Sequence, residues 1–157
     1  MKKSVLTFIL LFGFCSVAQA LTVILDKFAD DALPIAIVPF GWQGHGKPPG
    51  DMASIISNDL HRSGQFKAMK RGDMPAKPTA PNDVRYMQWR SQGIENLVVG
   101  NIKAKTADRY EIRFFLFDVV RGEQLSAMTV IVHPRIFRKA AHQIADIVYE
   151  KLTGNKL

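Results

Sequence analysis

Histidine and carboxylate side chains are the groups in this sequence that could do acid–base chemistry. Among four histidines, His142 has the most suggestive neighbour, because Asp146 follows four residues later on the same face of a predicted helix. This spacing is compatible with the acid–base pair of a hydrolase, and also with a helix-surface contact or a partly buried histidine whose hydrogen bond is satisfied. A hydrolase needs a nucleophile, and neither a Gly-x-Ser-x-Gly elbow nor a cysteine after residue 20 supplies one. We therefore predict a structural role for His142 and no enzyme activity.

Metal-binding and phosphate-binding motifs are also missing from the sequence. It contains no His-Glu-x-x-His, no pair of thiolates and no acidic calcium loop. The stretch from Gly41 to Gly50 is rich in glycine and proline, but no Gly-Lys-Ser/Thr follows it, so we predict an irregular loop in which Trp42 and His45 pack or face solvent. The sequence predicts no metal, no cofactor and no small-molecule substrate, which favours a binding or adaptor role.

The elements that would position these side chains centre on residues 96–132. Short breaks at residues 106–108 and 121–122 divide this stretch into three strands of an antiparallel meander. The middle strand alternates polar and apolar residues and then becomes apolar on both faces from Phe114 to Phe117, so one face must lie under a helix. A helix from Pro134 to Thr153 has the apolar spacing to cover it. The sequence therefore predicts an α+β domain.

The chain before the meander predicts a further set of alternating elements. We expect a helix from Asp51, as N-cap, to Ser63, and a second helix from Asp83 to Gln92 whose inward residues are Val84, Met87 and Trp89. Glycines at positions 64 and 93 end these helices. A short strand is predicted at the mature start, within residues 21–32, and further strands are predicted at 33–40 and 65–70, with a surface connection at 71–82. The expected order is β-β-α-β-α-β-β-β-α.

The first twenty residues read as a secretory signal. Lys2 and Lys3 precede an apolar run from Val5 to Val17, and the small residues before and at Ala20 predict cleavage after Ala20. An uncleaved membrane anchor is the alternative, but the run is shorter than the roughly 20 apolar residues that a span needs. A lipid-bearing Cys15 is disfavoured by the bulky Phe14 before it. We expect an exported, periplasmic protein whose mature part has no cysteine and forms no disulfide.

The charge balance adds little about partners. Without Lys2 and Lys3 the chain has 19 basic and 14 acidic residues, a moderate positive excess that suits an acidic partner or an anionic surface. No run of lysine or arginine interleaved with aromatic residues is present, and an exported protein rarely meets nucleic acid. We therefore expect no nucleic-acid ligand.

Three stretches together resemble the amino-terminal domain of the TolB family, the periplasmic proteins of the Tol–Pal system. Leu33 to Phe40 is similar to the family's rPIaVvPF strand, Asp59 to Phe66 to its DLxrSGxF motif, and Glu150 to Gly154 to its EKLTG domain end. Trp89 with Gly93 and Ile94, the run from Leu97 to Gly100, and the run from Arg138 to His142 add further agreement. The resemblance covers the whole of residues 21–157, and it implies a mixed sheet packed against two main helices, similar to anticodon-binding domains.

The resemblance also implies partners. In the family, the first residues after signal cleavage form a mobile segment that contacts the inner-membrane protein TolA, and this segment corresponds here to residues 21–32, ahead of a domain at 33–157. The candidate partner-binding residues are Leu21, Thr22, Val23, Ile24, Leu25, Asp26 and Lys27. The family continues past the Thr-Gly pair into a six-bladed β-propeller, so binding of the lipoprotein Pal is expected only if a propeller is supplied elsewhere.

Two functions follow as hypotheses. The first is a non-enzymatic adaptor of the Tol–Pal system that supports outer-membrane integrity and constriction during cell division, with membrane association only through its partners. The second is a stand-alone exported regulator that binds another envelope protein, such as a cell-wall synthase. In the first, residues 21–27 add a strand to a partner's sheet edge; the competing interpretation is that this strand completes the domain's own sheet. The sequence leaves open whether its 157 residues are the whole product, a truncation or part of a split gene.

Overall fold

Residues 32–157, which the computed structural model describes, form a mixed β-sheet covered by two helices on one face and by a long connection on the other. The strands are β1 (Leu33–Ile37), β2 (Gly41–Gln43), β3 (Phe66–Ala68), β4 (Asn96–Thr106), β5 (Arg109–Asp118) and β6 (Glu123–Val132). The helices are α1 (Met52–Arg62), α2 (Tyr86–Arg90) and α3 (Phe137–Thr153), with short 3-10 turns at Arg71–Asp73, Pro81–Asp83 and Pro134–Ile136. The predicted α+β class with a mixed sheet is confirmed.

The sheet has the order β3-β1-β4-β5-β6, in which β1 runs parallel to both of its neighbours. Strands β4, β5 and β6 form the predicted antiparallel meander, and β6 has the predicted bounds. Side chains alternate between the two faces of the sheet along β5. Ile112 and Phe114 point toward α1 and α3, whereas Phe115 and Phe117 point toward the opposite face. The apolar run on both faces therefore reflects a strand that is covered from both sides.

The strand predicted at residues 33–40 is interrupted. β1 ends at Ile37, and pairing with β4 resumes at Gly41 in β2, within the stretch that was expected to be an irregular loop. The amide of Val38 still donates to the carbonyl of Val98, but Pro39 has no N–H to continue the ladder. The ring of Phe40 then lies against Gly100, where a Cβ would stand 2.2 Å from it. A proline and a close ring contact thus divide one predicted strand into two.

Helices α1 and α3 pack side by side on the first face. The carboxylate of Asp51 caps α1 by accepting from the amide of Ser54 at 3.0 Å, and Gly64 beyond its end has a φ of +71°, as the sequence predicted. Helix α3 faces α1 and the sheet with small buried residues as well as large ones: Ala140, Ala141, Ile144, Ala145 and Val148. These alanines allow the two helix backbones to approach closely.

The opposite face is covered by residues 69–94, and here the sequence-based prediction was partly wrong. Helix α2 has five residues, and Met87, predicted to face inward, is 75% exposed. Val84 and Trp89 are buried as predicted, but Val84 lies in extended backbone before the helix. Because Val84 is outside α2, the helical spacing that linked it to Met87 does not apply. Trp89 is the only fully buried residue of α2 and belongs to a cluster that includes Ala36, Leu97, Val99 and Phe117, while Tyr86 packs against the same cluster.

The observed order of strands and helices matches the predicted order β-β-α-β-α-β-β-β-α, but the first two strands are not the two that were predicted. The short strand expected at the mature start lies outside the described residues, and its place in the order is taken by the division of residues 33–43 into β1 and β2. The signal sequence, its cleavage position at Ala20 and the candidate partner-binding residues 21–27 also lie outside the described part of the chain.

Candidate functional site

A buried carboxylate connects α1 to α3. Asp59, on α1, is 7% exposed, and its Oδ2 lies 2.5 Å from Nδ1 of His142 on α3, while its other oxygen accepts from Arg62. The sequence spacing suggested a pair between His142 and Asp146. The carboxylate that contacts His142 is instead that of Asp59, 83 positions earlier in the chain. Asp146 is exposed and lies near Asp59 and His142. Among the hydrogen bonds and ion pairs of residues 32–157, none joins Asp146 to the imidazole of His142. His142 is thus a half-exposed histidine with a satisfied hydrogen bond.

The Asp59–His142 contact forms the floor of an open groove between the two helices, which we call the α1–α3 groove. Its walls come from the start and middle of α1 and from the 3-10 turn and first turns of α3. The lining residues are Pro49, Gly50, Asp51, Ser54, Ile55, Asn58, Asp59, Arg62, Pro134, Arg135, Phe137, Arg138 and His142. Three of these are arginines and two are aspartates, so the groove is polar with a positive excess.

The two aspartates of the α1–α3 groove are already engaged. Asp51 receives the guanidinium of Arg71 at 2.7 Å and the hydroxyl of Ser54 at 2.9 Å. Partial burial raises the pKa of the Asp51 carboxyl, but the hydrogen bonds from Arg71 and Ser54 outweigh it and hold that pKa below its ordinary value. In contrast, Arg135 and Arg138 are exposed and form no ion pair within residues 32–157. The uncompensated charge of the groove is therefore positive.

The geometry around His142 does not assemble a nucleophile. Ser63 is the hydroxyl that lines the far end of this region together with Asp59 and His142. Its Oγ donates to the carbonyl of Leu60 at 2.6 Å and accepts from the amide of Gln65 at 3.2 Å, so its hydrogen-bonding capacity is used within the end of α1. The described residues contain no group of three or more His, Cys, Asp or Glu side chains placed to hold a metal ion.

The loop after β2 holds its aromatic residue in place. The indole of Trp42 meets Tyr110 edge-on at a centroid distance of 5.7 Å, and its Nε1 donates to the carbonyl of Gly46 at 3.0 Å. Gly44 lies against the same ring, where a Cβ would stand 2.4 Å from it. Trp42 therefore packs, as the sequence predicted, while His45 and Lys47 are exposed around it.

A second electrostatic cluster lies on the sheet. Glu111 of β5 is 8% exposed and contacts Arg113 at 2.9 Å and Lys105 of β4 at 3.4 Å. Burial raises the pKa of the Glu111 carboxyl, but the two cations outweigh this and hold the pKa below its usual value. Both cations are already compensated by Glu111, which makes this cluster a cross-strand brace rather than an open binding surface.

Sequence reasoning missed most members of the α1–α3 groove. Asp59 and Arg62 belong to a motif that was recognised, yet the contact of Asp59 with His142 joins two helices that are distant in the sequence. Arg135 lies in the 3-10 turn before α3 and Arg138 in its first turn, and nothing in the sequence indicated that they line a groove with α1. No helix within residues 32–157 has the length and apolar character required to cross a membrane.

Comparison with known proteins gives a consistent result. The family model described as the TolB amino-terminal domain matches residues 21–125. The Tol-Pal system protein TolB of Thioalkalivibrio sulfidiphilus is 41% identical over 157 residues, which cover 98% of this chain and 36% of that protein. The chain thus spans about a third of the length of this curated relative.

Solved structures also match this chain in fold. The crystal structure of TolB from Acinetobacter baumannii matches with a TM-score of 0.67 at 34% identity, over 80% of this chain and 29% of that one. The C-terminal domain of LpoB from Salmonella enterica matches with a TM-score of 0.53 at 10% identity, over 71% of this chain and 93% of that one. At this identity the second likeness shows a shared fold alone.

Proposed function

Because the chain belongs to the TolB family, over its amino-terminal domain, we propose that it is a non-enzymatic periplasmic adaptor of the Tol–Pal system. Residues 1–20 direct export and are removed after Ala20, residues 21–32 bind a partner, and residues 33–157 form the domain that presents this segment. In this role the protein supports outer-membrane integrity and constriction during division. The observation that supports the proposal best is the similarity to a Tol-Pal system protein over 98% of this chain and 36% of that protein, together with a family match that begins at residue 21.

The proposed partner is a TolA-like inner-membrane protein, and the proposed contact is strand addition. In an extended segment, Val23 and Leu25 point to one side and Thr22 and Ile24 to the other. Main-chain hydrogen bonds to the partner's sheet edge provide affinity, and the alternating side chains fix the register. Pal becomes a partner only when a propeller is supplied by another chain, and the protein associates with the membrane only through its partners.

The test is a pull-down with purified periplasmic TolA domain from the same bacterium. The bait carrying residues 21–157 should retain the TolA domain, and a bait lacking residues 21–31 should not. Val23→Asp with Leu25→Asp should lose retention, because two charges would enter the apolar side of the added strand. Gln88→Asp with Gln92→Asp is the matched control, since it adds the same two charges at exposed positions of the folded domain, outside residues 21–32.

The outcomes separate the two functional hypotheses. Equal retention by the complete and the truncated bait would contradict the role of residues 21–27 and place the contact on the folded domain. In a parallel pull-down from envelope extract, retention of a different envelope protein by both baits, with no TolA bound, would favour the stand-alone regulator. Circular dichroism of each bait shows that a loss of binding is not a loss of folding.

A further inference from the structure

We propose that the α1–α3 groove is a second docking site, which takes an acidic segment of a partner protein. This site is on the folded domain and is separate from residues 21–32, so it goes beyond the adaptor role proposed above. The inference depends on the charge left uncompensated in the groove, on apolar surface beside that charge, and on the contacts between α1 and α3 that form the groove floor.

The charge comes from Arg135 and Arg138. Both guanidinium groups are exposed at the start of α3 and have no carboxylate partner within residues 32–157. The carboxylates of the groove do not compete for them, because Asp51 is held by Arg71, and Asp59 by Arg62 and His142. An arginine presents a planar set of donors that matches a carboxylate with two parallel hydrogen bonds. Two such groups three residues apart suit a segment with closely spaced acidic residues.

Apolar surface lies next to these arginines. The lining of the groove includes apolar side chains as well as charged ones. Ile55 on the opposite wall is partly buried, and the two prolines at positions 49 and 134 border the same end of the groove. Exposed apolar area rimmed by arginine is typical of protein–protein contacts. The segment should therefore carry an apolar side chain among its acidic residues.

Contacts between α1 and α3 form the floor of the groove without a partner. The Asp59–His142 contact and the buried residues beneath it, including Leu60, Ala141 and Ile144, connect α1 and α3. Binding would then cost conformational entropy mainly in the partner segment and little in the groove, which favours affinity. A planar anionic membrane fits less well, because the positive excess lies in a groove that also contains Asp51 and Asp59.

The experiment measures binding of residues 21–157 to defined peptide probes by fluorescence anisotropy. The probe is a short fluorescein-labelled peptide of glutamate with leucine at intervals, and the same peptide with lysine in place of glutamate is the negative control. Arg135→Glu with Arg138→Glu should weaken binding of the acidic peptide by about tenfold or more, since two charge contacts become repulsive. The control variant, Lys139→Glu with Lys151→Glu, makes the same change of net charge at exposed positions of α3 outside the groove.

Nuclear magnetic resonance locates the contact. In a titration with the acidic peptide, the amide shifts should move at residues 54–62 and 135–142 and not on β6. Equal loss of binding in both double variants would overturn the proposal, because it would show attraction to net charge alone. Binding to vesicles of phosphatidylglycerol in preference to the peptide, or shifts confined to another surface, would overturn it too. The Arg135 and Arg138 variant should still retain the TolA domain, so failure of this site and failure of the adaptor role give different results.

Discussion

Asp59 is the residue whose position explains the surface between α1 and α3. A carboxylate that is 7% exposed is costly unless hydrogen bonds and opposite charges compensate it, and here His142 and Arg62 provide both. The contact also determines the orientation of the imidazole, which would otherwise be free to turn toward Asp146. At this scale the site is a brace between two helices.

Replacement of Asp59 tests this role. Asp59→Ala should lower the free energy of unfolding by about 2 kcal/mol, because it removes a buried acceptor and leaves His142 and Arg62 without their partner. Asp146→Ala should change it by less than about 0.5 kcal/mol, as expected for an exposed side chain. Urea unfolding followed by circular dichroism measures both. A larger loss from Asp146→Ala than from Asp59→Ala would show that the helix-surface pair predicted from sequence is the relevant one.

The Asp51 carboxyl predicts a pH dependence of stability. Its pKa is lower in the folded protein than its ordinary value of about 3.9, so folding favours the charged form. The stabilisation is complete above that ordinary value and disappears as the pH falls through the lower pKa of the folded state. Asp51→Ala should therefore cost about 1 kcal/mol near neutral pH, through the lost helix cap, and progressively less in acid.

Urea titrations of wild type and Asp51→Ala, at neutral pH and at a series of acidic pH values, measure this difference. Asp73→Ala is the matched control, because Asp73 is exposed and forms no ion pair within the described residues. A difference between wild type and Asp51→Ala that grows as the pH falls would have the wrong sign and would contradict the assignment.

At the scale of elements, the sequence predicted best where pairing is local. The meander and α3 were found with nearly correct bounds, because alternation and helical spacing within 10 to 20 residues determine them. The division of β1 from β2 was missed, since it depends on Phe40 meeting Gly100 on another strand. The exposure of Met87 was missed because helix α2 begins later than its apolar pattern indicated. The α1–α3 groove was missed for the same kind of reason, because its walls meet only in three dimensions.

Helix α2 offers a direct test of which side chain anchors the second core. Trp89→Ala should destabilise the protein by about 3 to 5 kcal/mol, because a fully buried indole is replaced by a cavity on the face opposite α1 and α3. Met87→Ala, on the same helix, should change stability by less than about 0.5 kcal/mol. Chemical denaturation of the two variants gives the comparison. Similar losses from both would return Met87 to the inward position that the sequence suggested.

At the scale of the whole molecule, one sheet carries two hydrophobic cores. The first core lies under α1 and α3, and the second under residues 69–94, and strands β1, β4 and β5 contribute to both. Residues 32–157 form one compact unit on this basis. Within the described residues 32–157 both cores are continuous, and we predict that this part of the chain folds without the preceding segment.

Truncation tests this independence. A chain of residues 33–157 should unfold cooperatively, with a melting temperature within a few degrees of that of residues 21–157, because a difference of 1 kcal/mol would shift it by only about 2 to 8 °C. Differential scanning calorimetry of both chains measures the shift. A much lower melting temperature for the shorter chain would show that residues 21–32 pair within the domain's own sheet, and it would weaken their assignment to a partner.

The central position of β1 has a kinetic consequence. β1 is near the amino terminus of the described chain, yet Leu33 pairs with Phe66 and Ile35 with Asn96. Both edges of β1 can therefore pair only after segments that follow much later in the sequence have folded. The hairpins of β4, β5 and β6 close short loops and should form first, since sequence-distant pairing is slow. Pulse-labelled hydrogen exchange should thus protect β5 and β6 amides before that of Val38, and simultaneous protection would contradict this order. Under the export proposed above, a chain that completes its sheet late would remain unfolded for longer while it crosses the membrane.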